Sequence, residues 1–318
     1  MHQDTINNSL EATKISIIVP CFNEEAVIEN YFEELINSIS TLDDYCFEFI
    51  FIDDGSTDKT LEKLINISRD NKGVRIIELS RNFGKEAALT AGIDSSNSDA
   101  AIFMDADLEH PPEIIKEMID AWIEGFDIVL AKREDRSEES IIKKLTSNYF
   151  YKLFNNISDT KIIPDVGDFR LMNRVSLDAV KSLQERQRFM KGILSWVGFK
   201  HTTIKFRVNK RTKGKTKFSL LKLWQLAIVG IVSFSDAPLR IWSYIGLSTI
   251  IISFVWIITI IYRTLVLGIQ ATGDPTIMVL IIFFGGLNLF SIGMIGEYLG
   301  RTYLESKKRP IYIVRKEH

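Results

Sequence analysis

The chain has 318 residues, 46% of them hydrophobic, and a net charge of −2. That length accommodates one α/β domain of about 200 residues and a smaller unit, and the near-neutral charge excludes a generally basic nucleic-acid binder. Two cysteines, Cys21 and Cys46, are too few for a disulfide framework and fit a reducing compartment.

The opening 1–14 is polar and lacks the apolar core of a signal peptide. Ile15 to Pro20 is a β-branched run and predicts the first strand, followed by Cys21-Phe22-Asn23-Glu24-Glu25 and a helical period through Val27, Ile28, Tyr31, Phe32, Leu35 and Ile36. Phe47 to Ile52 predicts the second strand. It closes on Asp53-Asp54-Gly55-Ser56-Thr57-Asp58, turn residues that then cap a helix over Leu61, Leu64 and Ile65. Val74 to Leu79 is the third strand, leading through Ser80-Arg81-Asn82-Phe83-Gly84-Lys85 into a small-residue helix, Glu86 to Gly92.

The fourth strand, from Ala101 to Met104, runs into Asp105-Ala106-Asp107-Leu108-Glu109-His110, and Pro111-Pro112 opens a helix to about Glu124. A buried strand ending in Asp-x-Asp puts two carboxylates at the sheet rim where open α/β sheets bind ligands. Such oxygens are hard ligands for Mg²⁺ or Mn²⁺, although one aspartate alone serves equally as a helix cap. Asp127 to Ala131 predicts a fifth strand ending in Lys132-Arg133.

Strands alternating with helices predict an α/β fold with a three-layer, mostly parallel sheet, whose rim gathers Asn23, Asp53, Asp54, Lys85, Asp105, Asp107 and Arg133. Carboxylates for a metal and a nucleoside, with cations for phosphates, are what a nucleotide-diphosphate site requires. Neither a Gly-x-Gly-x-x-Gly after the first strand nor a P-loop occurs.

Further on, Ile141 to Phe154 reads as a helix, Asp165 to Leu171 as a strand containing Asp168 and Arg170, Gln184 to Trp196 as a helix and Thr202 to Val208 as a strand. Between Lys200 and Lys222 lie nine Lys or Arg residues and no acid. This segment reads either as flanking charge for a membrane span or as a phosphate-gripping loop at the membrane surface.

Phe218 to Phe234 is apolar apart from Lys222 and Gln225, and its uncharged core is short for a span, so an interfacial segment over 218–236 is predicted. Trp242 to Tyr262 (21 residues) and Ile277 to Ile295 (19 residues) carry no charge, and each is long enough for a bilayer core. Basic residues flank both ends of this pair, whereas the connecting loop holds one Arg and one Asp. Two spans with both termini cytoplasmic follow. The glycines at 285, 286, 293 and 296 suit packing against further copies. Arg309 to Val314 alternates like a strand able to pair with a sheet edge of its own or a neighbouring subunit.

Pro20-Cys21-Phe22-Asn23-Glu24-Glu25, Asp53-Asp54-Gly55-Ser56, Asp105-Ala106-Asp107 and Arg211-x-x-Gly214-x-Thr216-Lys217 occur in this order. Together they resemble family 2 glycosyltransferases of the GT-A fold, closest to the polyprenyl-phosphate branch of bactoprenol glucosyltransferases and dolichol-phosphate mannosyltransferase. The resemblance covers 15–217 as the catalytic domain, and the two-span tail followed by a basic segment, 301–318, fits the bactoprenol type.

It implies transfer of a hexose from a nucleotide-diphosphate sugar to undecaprenyl or another polyprenyl phosphate, with inversion, at the cytoplasmic face of the inner membrane. UDP-glucose is the favoured donor, with mannosyl or N-acetylhexosaminyl transfer as alternatives. Carried over, Pro20, Phe22, Asn23, Glu24, Asp53, Asp54, Lys85, Asp105 and Ala106 would bind the donor. Asp105, Asp107 and Glu109 would hold Mg²⁺ or Mn²⁺, and Arg133, Arg211 and Lys217 would receive the acceptor phosphate. Asp107 and Asp168 are the expected catalytic carboxylates, Asp168 as a positioning group or a base, or else simply paired with Arg170. Many relatives have Gln where this chain has Glu109. A processive polysaccharide synthase fits less well, because Gln184-Glu185-Arg186-Gln187-Arg188-Phe189 lacks the Gln-x-x-Arg-Trp pattern of those enzymes. An inactive membrane scaffold would have lost rim carboxylates that are present here.

Overall fold

A computed structural model of the chain describes residues 12–134 except 108, residues 152–207 except 153, 157, 159, 160, 162, 165, 184, 187 and 189, and residues 235–318 except 236, 267 and 269–273. The predicted helix from Ile141, the basic segment with Arg211 and Lys217, and the interfacial stretch from Phe218 fall wholly or mainly outside these residues.

The strands are β1 (Thr13–Cys21), β2 (Tyr45–Asp53), β3 (Val74–Leu79), β4 (Ala100–Phe103), β5 (Ile128–Arg133), β6 (Val166–Asn173), β7 (His201–Phe206) and β8 (Val314–Glu317). They form one sheet in the order β7-β5-β6-β4-β1-β2-β3-β8. β4, β1, β2 and β3 run parallel. β6 is antiparallel to both neighbours, β4 and β5, and β7 is parallel to β5. The carboxyl ends of β1 to β5 therefore share a rim with the amino end of β6, and that reversal delivers Asp168 beside the other rim residues.

The helices are α1 (Ile28–Ile39), α2 (Thr60–Asp70), α3 (Lys85–Ser95), α4 (Ile115–Ile123, preceded by a 3-10 turn at Pro112–Ile114), α5 (Arg174–Ser182), α6 (Met190–Trp196), α7 (Ala237–Leu265) and α8 (Asp274–Ser306). Side-chain alternation in the central strands divides the core. Ile17, Val19, Phe49 and Phe51 pack with α1, α2 and α4 on one face, and Ile18, Ile50 and Ile52 pack with α3, α5 and α6 on the other. α1 presents Ile28, Tyr31, Phe32, Leu35 and Ile39 at helical spacing. α3 packs directly on the sheet: a Cβ on Gly92 would lie 2.3 Å from Ile18 Cγ2, so this approach requires glycine.

Two expectations need correction. The helix predicted from Gln184 begins only at Met190; before it, the backbone N–H of Arg186 is taken by the Glu305 carboxylate instead of a helical carbonyl. The C-terminal strand lies at 314–317, later than its alternation suggested, because the open edge of β3 is reached by Ile313 to His318. It pairs with the chain's own sheet.

α7 and α8 contain stretches long and apolar enough to cross a bilayer, Tyr244–Arg263 and Leu280–Ser306, with exposed apolar side chains along them. Trp242 and Phe290 meet at a ring-centroid distance of 5.0 Å between these helices, and Tyr298 donates a 2.9 Å hydrogen bond to the Ser235 carbonyl.

Candidate active site

The rim is assembled from three loops that brace one another. After β1 and Cys21, Asn23 takes a left-handed backbone (φ 57°), a conformation open to a short polar side chain. Its side-chain oxygen accepts from Thr57 N at 2.8 Å, and its own N–H donates to Ser56 Oγ at 3.0 Å. Glu24 N donates to Thr60 Oγ1 at 2.8 Å. Pro20 lies on β1 opposite Ile52, and Phe22 is partly exposed at the rim.

The second loop follows β2. Asp53 is buried; one oxygen accepts from Ser56 N at 3.2 Å, and Oδ1 has no hydrogen-bond partner. Burial pushes its carboxyl above the ordinary range, against the hydrogen bonds from Ser56. Asp54, also buried, accepts from Phe83 N (2.7 Å) and Gly84 N (2.9 Å), which fixes the third loop, 80–84, upon the second. Gly55 (φ 68°) lies under this junction, where a Cβ would come within 2.6 Å of the Arg81 carbonyl carbon.

At the centre Lys85, the first residue of α3, places its ammonium 2.6 Å from Asp105 Oδ1 and 2.7 Å from Asp168 Oδ2. Although the Lys85 side chain is 43% exposed, partial desolvation of its ammonium works against the charge, and the two carboxylates outweigh that and hold the lysine protonated above its usual range. Asp168 is thus bound to Lys85, while the buried Arg170 guanidinium donates to the Gly167 carbonyl at 2.7 Å. Asp107 Oδ1 accepts from Glu109 N at 3.1 Å. Burial and the charge of Asp105 raise the Asp107 carboxyl above its ordinary range. Glu109 reaches across to Arg133 at 2.9 Å, so a predicted metal ligand and a predicted phosphate cation meet as a pair.

Sequence reasoning passed over two residues here. His110 is buried beside Phe169 and Phe206, at ring-centroid distances of 4.8 and 5.7 Å, and its Nδ1 lies 3.5 Å from Asp105 N, behind the Asp-x-Asp turn. A backbone N–H can only donate, so Nδ1 is the acceptor, and burial holds this imidazole below its ordinary pKa. Tyr31, read from the sequence as an apolar position of α1, is fully buried with an unpartnered hydroxyl. Its pKa is raised first by burial and then by the charges of Cys21, Asp105 and Asp107. The only local signal was a polar atom in an otherwise apolar stripe.

Residues 16–181 match the family described as Glycosyl transferase family 2. Along nearly its full length the chain is 46% identical to the prophage bactoprenol glucosyl transferase homolog of Escherichia coli strain K12, covering 95% of this chain and 99% of that one. It is 47% identical to the bactoprenol glucosyl transferase of Shigella phage SfII, covering 96% and 98%. The chain belongs to glycosyltransferase family 2. Among solved structures it is similar to glucosyl-3-phosphoglycerate synthase from Mycobacterium tuberculosis in complex with Mn²⁺, uridine-diphosphate-glucose and phosphoglyceric acid, at 19% identity over 69% of this chain and 78% of that chain, with a TM-score of 0.45.

The donor set of this glycosyltransferase fits a divalent cation. Asp105 and Asp107 supply hard oxygens, and the Asp107 carboxyl is raised first by burial and then by the Asp105 charge, a like-charge pair that a cation would relieve. Among the described residues no group of three or more His, Cys, Asp and Glu is arranged as a metal cage. Two carboxylates, with the rest of the coordination left to phosphates and water, is the usual arrangement for Mg²⁺. One Glu109 oxygen is engaged by Arg133.

Proposed function

We propose that this glycosyltransferase moves a hexose, with glucose from UDP-glucose the favoured case, onto the phosphate of a membrane polyprenol, with inversion at the anomeric carbon and at the cytoplasmic membrane face. The observation that carries the reading is the convergence of Lys85, Asp105 and Asp168 on one rim, in a chain that continues into two apolar helices. The names of the bactoprenol relatives add the acceptor class and the sugar.

In this reading Pro20, Phe22, Asn23, Glu24, Asp53 and Asp54 surround the nucleoside, with Ala106 lining the donor site. Asp105 and Asp107 would hold Mg²⁺ or Mn²⁺, which when bound neutralises charge on the diphosphate leaving group. Lys85 adds a second cation on the donor side. The acceptor phosphate has a second pKa of roughly 6 and is largely a dianion near neutral pH, so it is already nucleophilic. What the chain must supply is orientation at ~3–3.5 Å from the anomeric carbon. Arg133, Arg211 and Lys217 bring the acceptor phosphate in, and Asp168, tied to Lys85, acts as a positioning carboxylate.

Both basic flanks lie on the cytoplasmic side, so the soluble donor and the lipid phosphate meet at the interface. Catalytic domain over 15–217, interfacial segment over 218–236 and two spans within 240–300 complete the organisation.

The experiment is transfer of radiolabel from a panel of nucleotide sugars into organic-extractable undecaprenyl phosphate by the full-length protein, with and without Mg²⁺, for wild type and Asp107→Ala. Metal-dependent label in the lipid fraction that disappears in the mutant is expected. Label in a water-soluble polymer, or no transfer from any donor by folded protein, would sink the proposal.

A further inference from the structure

Beyond α8 the chain returns to the catalytic domain and grips both sides of one loop. Ile313 O accepts from Ser80 N at 2.9 Å, the last rung of the β8–β3 ladder before loop 80–84 begins. Glu78, a buried carboxylate on β3, is held by Arg315 at 2.9 Å and His318 at 3.3 Å. On the far side of the loop, the Tyr312 hydroxyl donates to Asp94 near the end of α3 at 2.8 Å. The tail thus fixes the strand that enters the loop and the helix that leaves it.

That loop carries the two N–H groups bound by Asp54, and Lys85 follows it directly. A second connection starts where α8 ends. Glu305 binds Arg186 N at 2.9 Å, and Arg186 Nε donates to the Arg309 carbonyl at 2.7 Å. A few residues later, Met190 N donates to Glu86, the neighbour of Lys85, at 3.1 Å.

We propose that Tyr312 to His318 is a positioning element for the donor site: it couples the end of the second apolar helix to loop 80–84 and so sets the placement of Lys85 against Asp105 and Asp168. The inference rests on the donor-site reading above. Covering the β3 edge would by itself protect against aggregation and add stability. The bonds to Ser80 and Asp94 go further, because they hold either side of the loop that leads into Lys85.

The test uses full-length protein in nanodiscs, with hydrogen exchange of peptides covering 80–84 and 100–103, and separate KM values for nucleotide sugar and polyprenyl phosphate. For Arg315→Ala, loop 80–84 is expected to exchange ~5-fold faster, as for the loss of about 1 kcal/mol of local restraint. Donor KM should rise by a similar factor while acceptor KM and exchange at 100–103 stay unchanged, and Arg315→Lys should recover most of the loss. Tyr312→Phe, which removes one hydroxyl and leaves the strand, should shift the same two readouts in the same direction by less; it decides the matter if Arg315→Ala fails to fold. Unchanged loop exchange in both variants overturns the inference, as does faster exchange with an unmoved donor KM. If Lys85→Met also leaves donor KM unmoved, the fault lies in the donor-site reading.

Discussion

Gly55→Ala is the sharpest probe of how the donor loops are built. Gly55 has φ 68°, and an L residue in that region costs roughly 1–2 kcal/mol. The added methyl would lie 2.6, 2.7 and 2.9 Å from backbone atoms of Arg81 and Asn82, where ordinary contact begins at 3.4 Å. Backbone cannot rotate aside as a side chain can, so loop 80–84 must retreat by about 0.8 Å, with an overpacking cost of about 1–3 kcal/mol. The total is about 2–5 kcal/mol. Gly125→Ala supplies the control, since Gly125 has φ 93° with nothing within 4 Å of a new Cβ, leaving only the backbone cost. Thermal unfolding of full-length protein in one detergent should place Gly55→Ala several degrees below Gly125→Ala. Because the displaced loop carries the Phe83 and Gly84 N–H groups bound by Asp54, kcat/KM for the donor should fall on the order of 10–100-fold for Gly55→Ala. Equal melting points, or a donor kcat/KM within twofold of wild type, would refute the packing of loop 80–84 on Gly55.

Lys85→Met removes the cation shared by Asp105 and Asp168 and should lower kcat/KM by about 100-fold or more in the lipid-transfer assay, with Lys85→Arg intermediate. Glu109→Gln keeps an acceptor for Arg133 but loses its charge, weakening that hold by about 1 kcal/mol. Acceptor KM should move up to ~5-fold while the half-saturating Mn²⁺ concentration stays put, and a tenfold change in the latter would put Glu109 on the metal instead. Burial lowers the proton affinity of His110 in the folded state, so the unfolded chain binds the extra proton. The stability this gives is present above the unfolded value of about 6.5 and is lost as pH falls below it. The melting temperature of wild type should therefore fall more steeply between pH 7 and 5 than that of His110→Asn, and parallel curves would exclude this histidine as the cause.

The parts of the fold legible in the sequence are those written in local pattern. β-branched runs fixed the positions of β1 to β4 within a residue or two, the Asp-x-Asp turn marked the rim, and two uncharged stretches marked α7 and α8. The insertion of antiparallel β6 between β4 and β5 had no local signature, because it depends on which edge a distant segment finds. The same limit applies to single residues. Lys85 could be placed at the rim from its position after β3, but its simultaneous contact with Asp105 and Asp168 depends on β6 running backwards past β4.

That reversal bears on how a sugar-transfer site can hold its charges. A rim made only from parallel strand ends would array Asp53, Asp54, Asp105 and Asp107 with little to space them, and burial already raises three of these carboxyls. Two of the four are relieved by backbone: Asp54 takes the N–H groups of Phe83 and Gly84, and Asp53 takes that of Ser56. Asp105 is relieved by Lys85, whose second carboxylate, Asp168, comes from the amino end of β6. Asp107 accepts the Glu109 N–H, while burial and the neighbouring Asp105 charge raise its carboxyl. A divalent cation held by Asp105 and Asp107, as proposed, would offset the repulsion between these two carboxylates. Substitution of Asp107 should therefore abolish metal-dependent transfer while hydrogen exchange of loop 80–84, anchored by Asp54, stays unchanged.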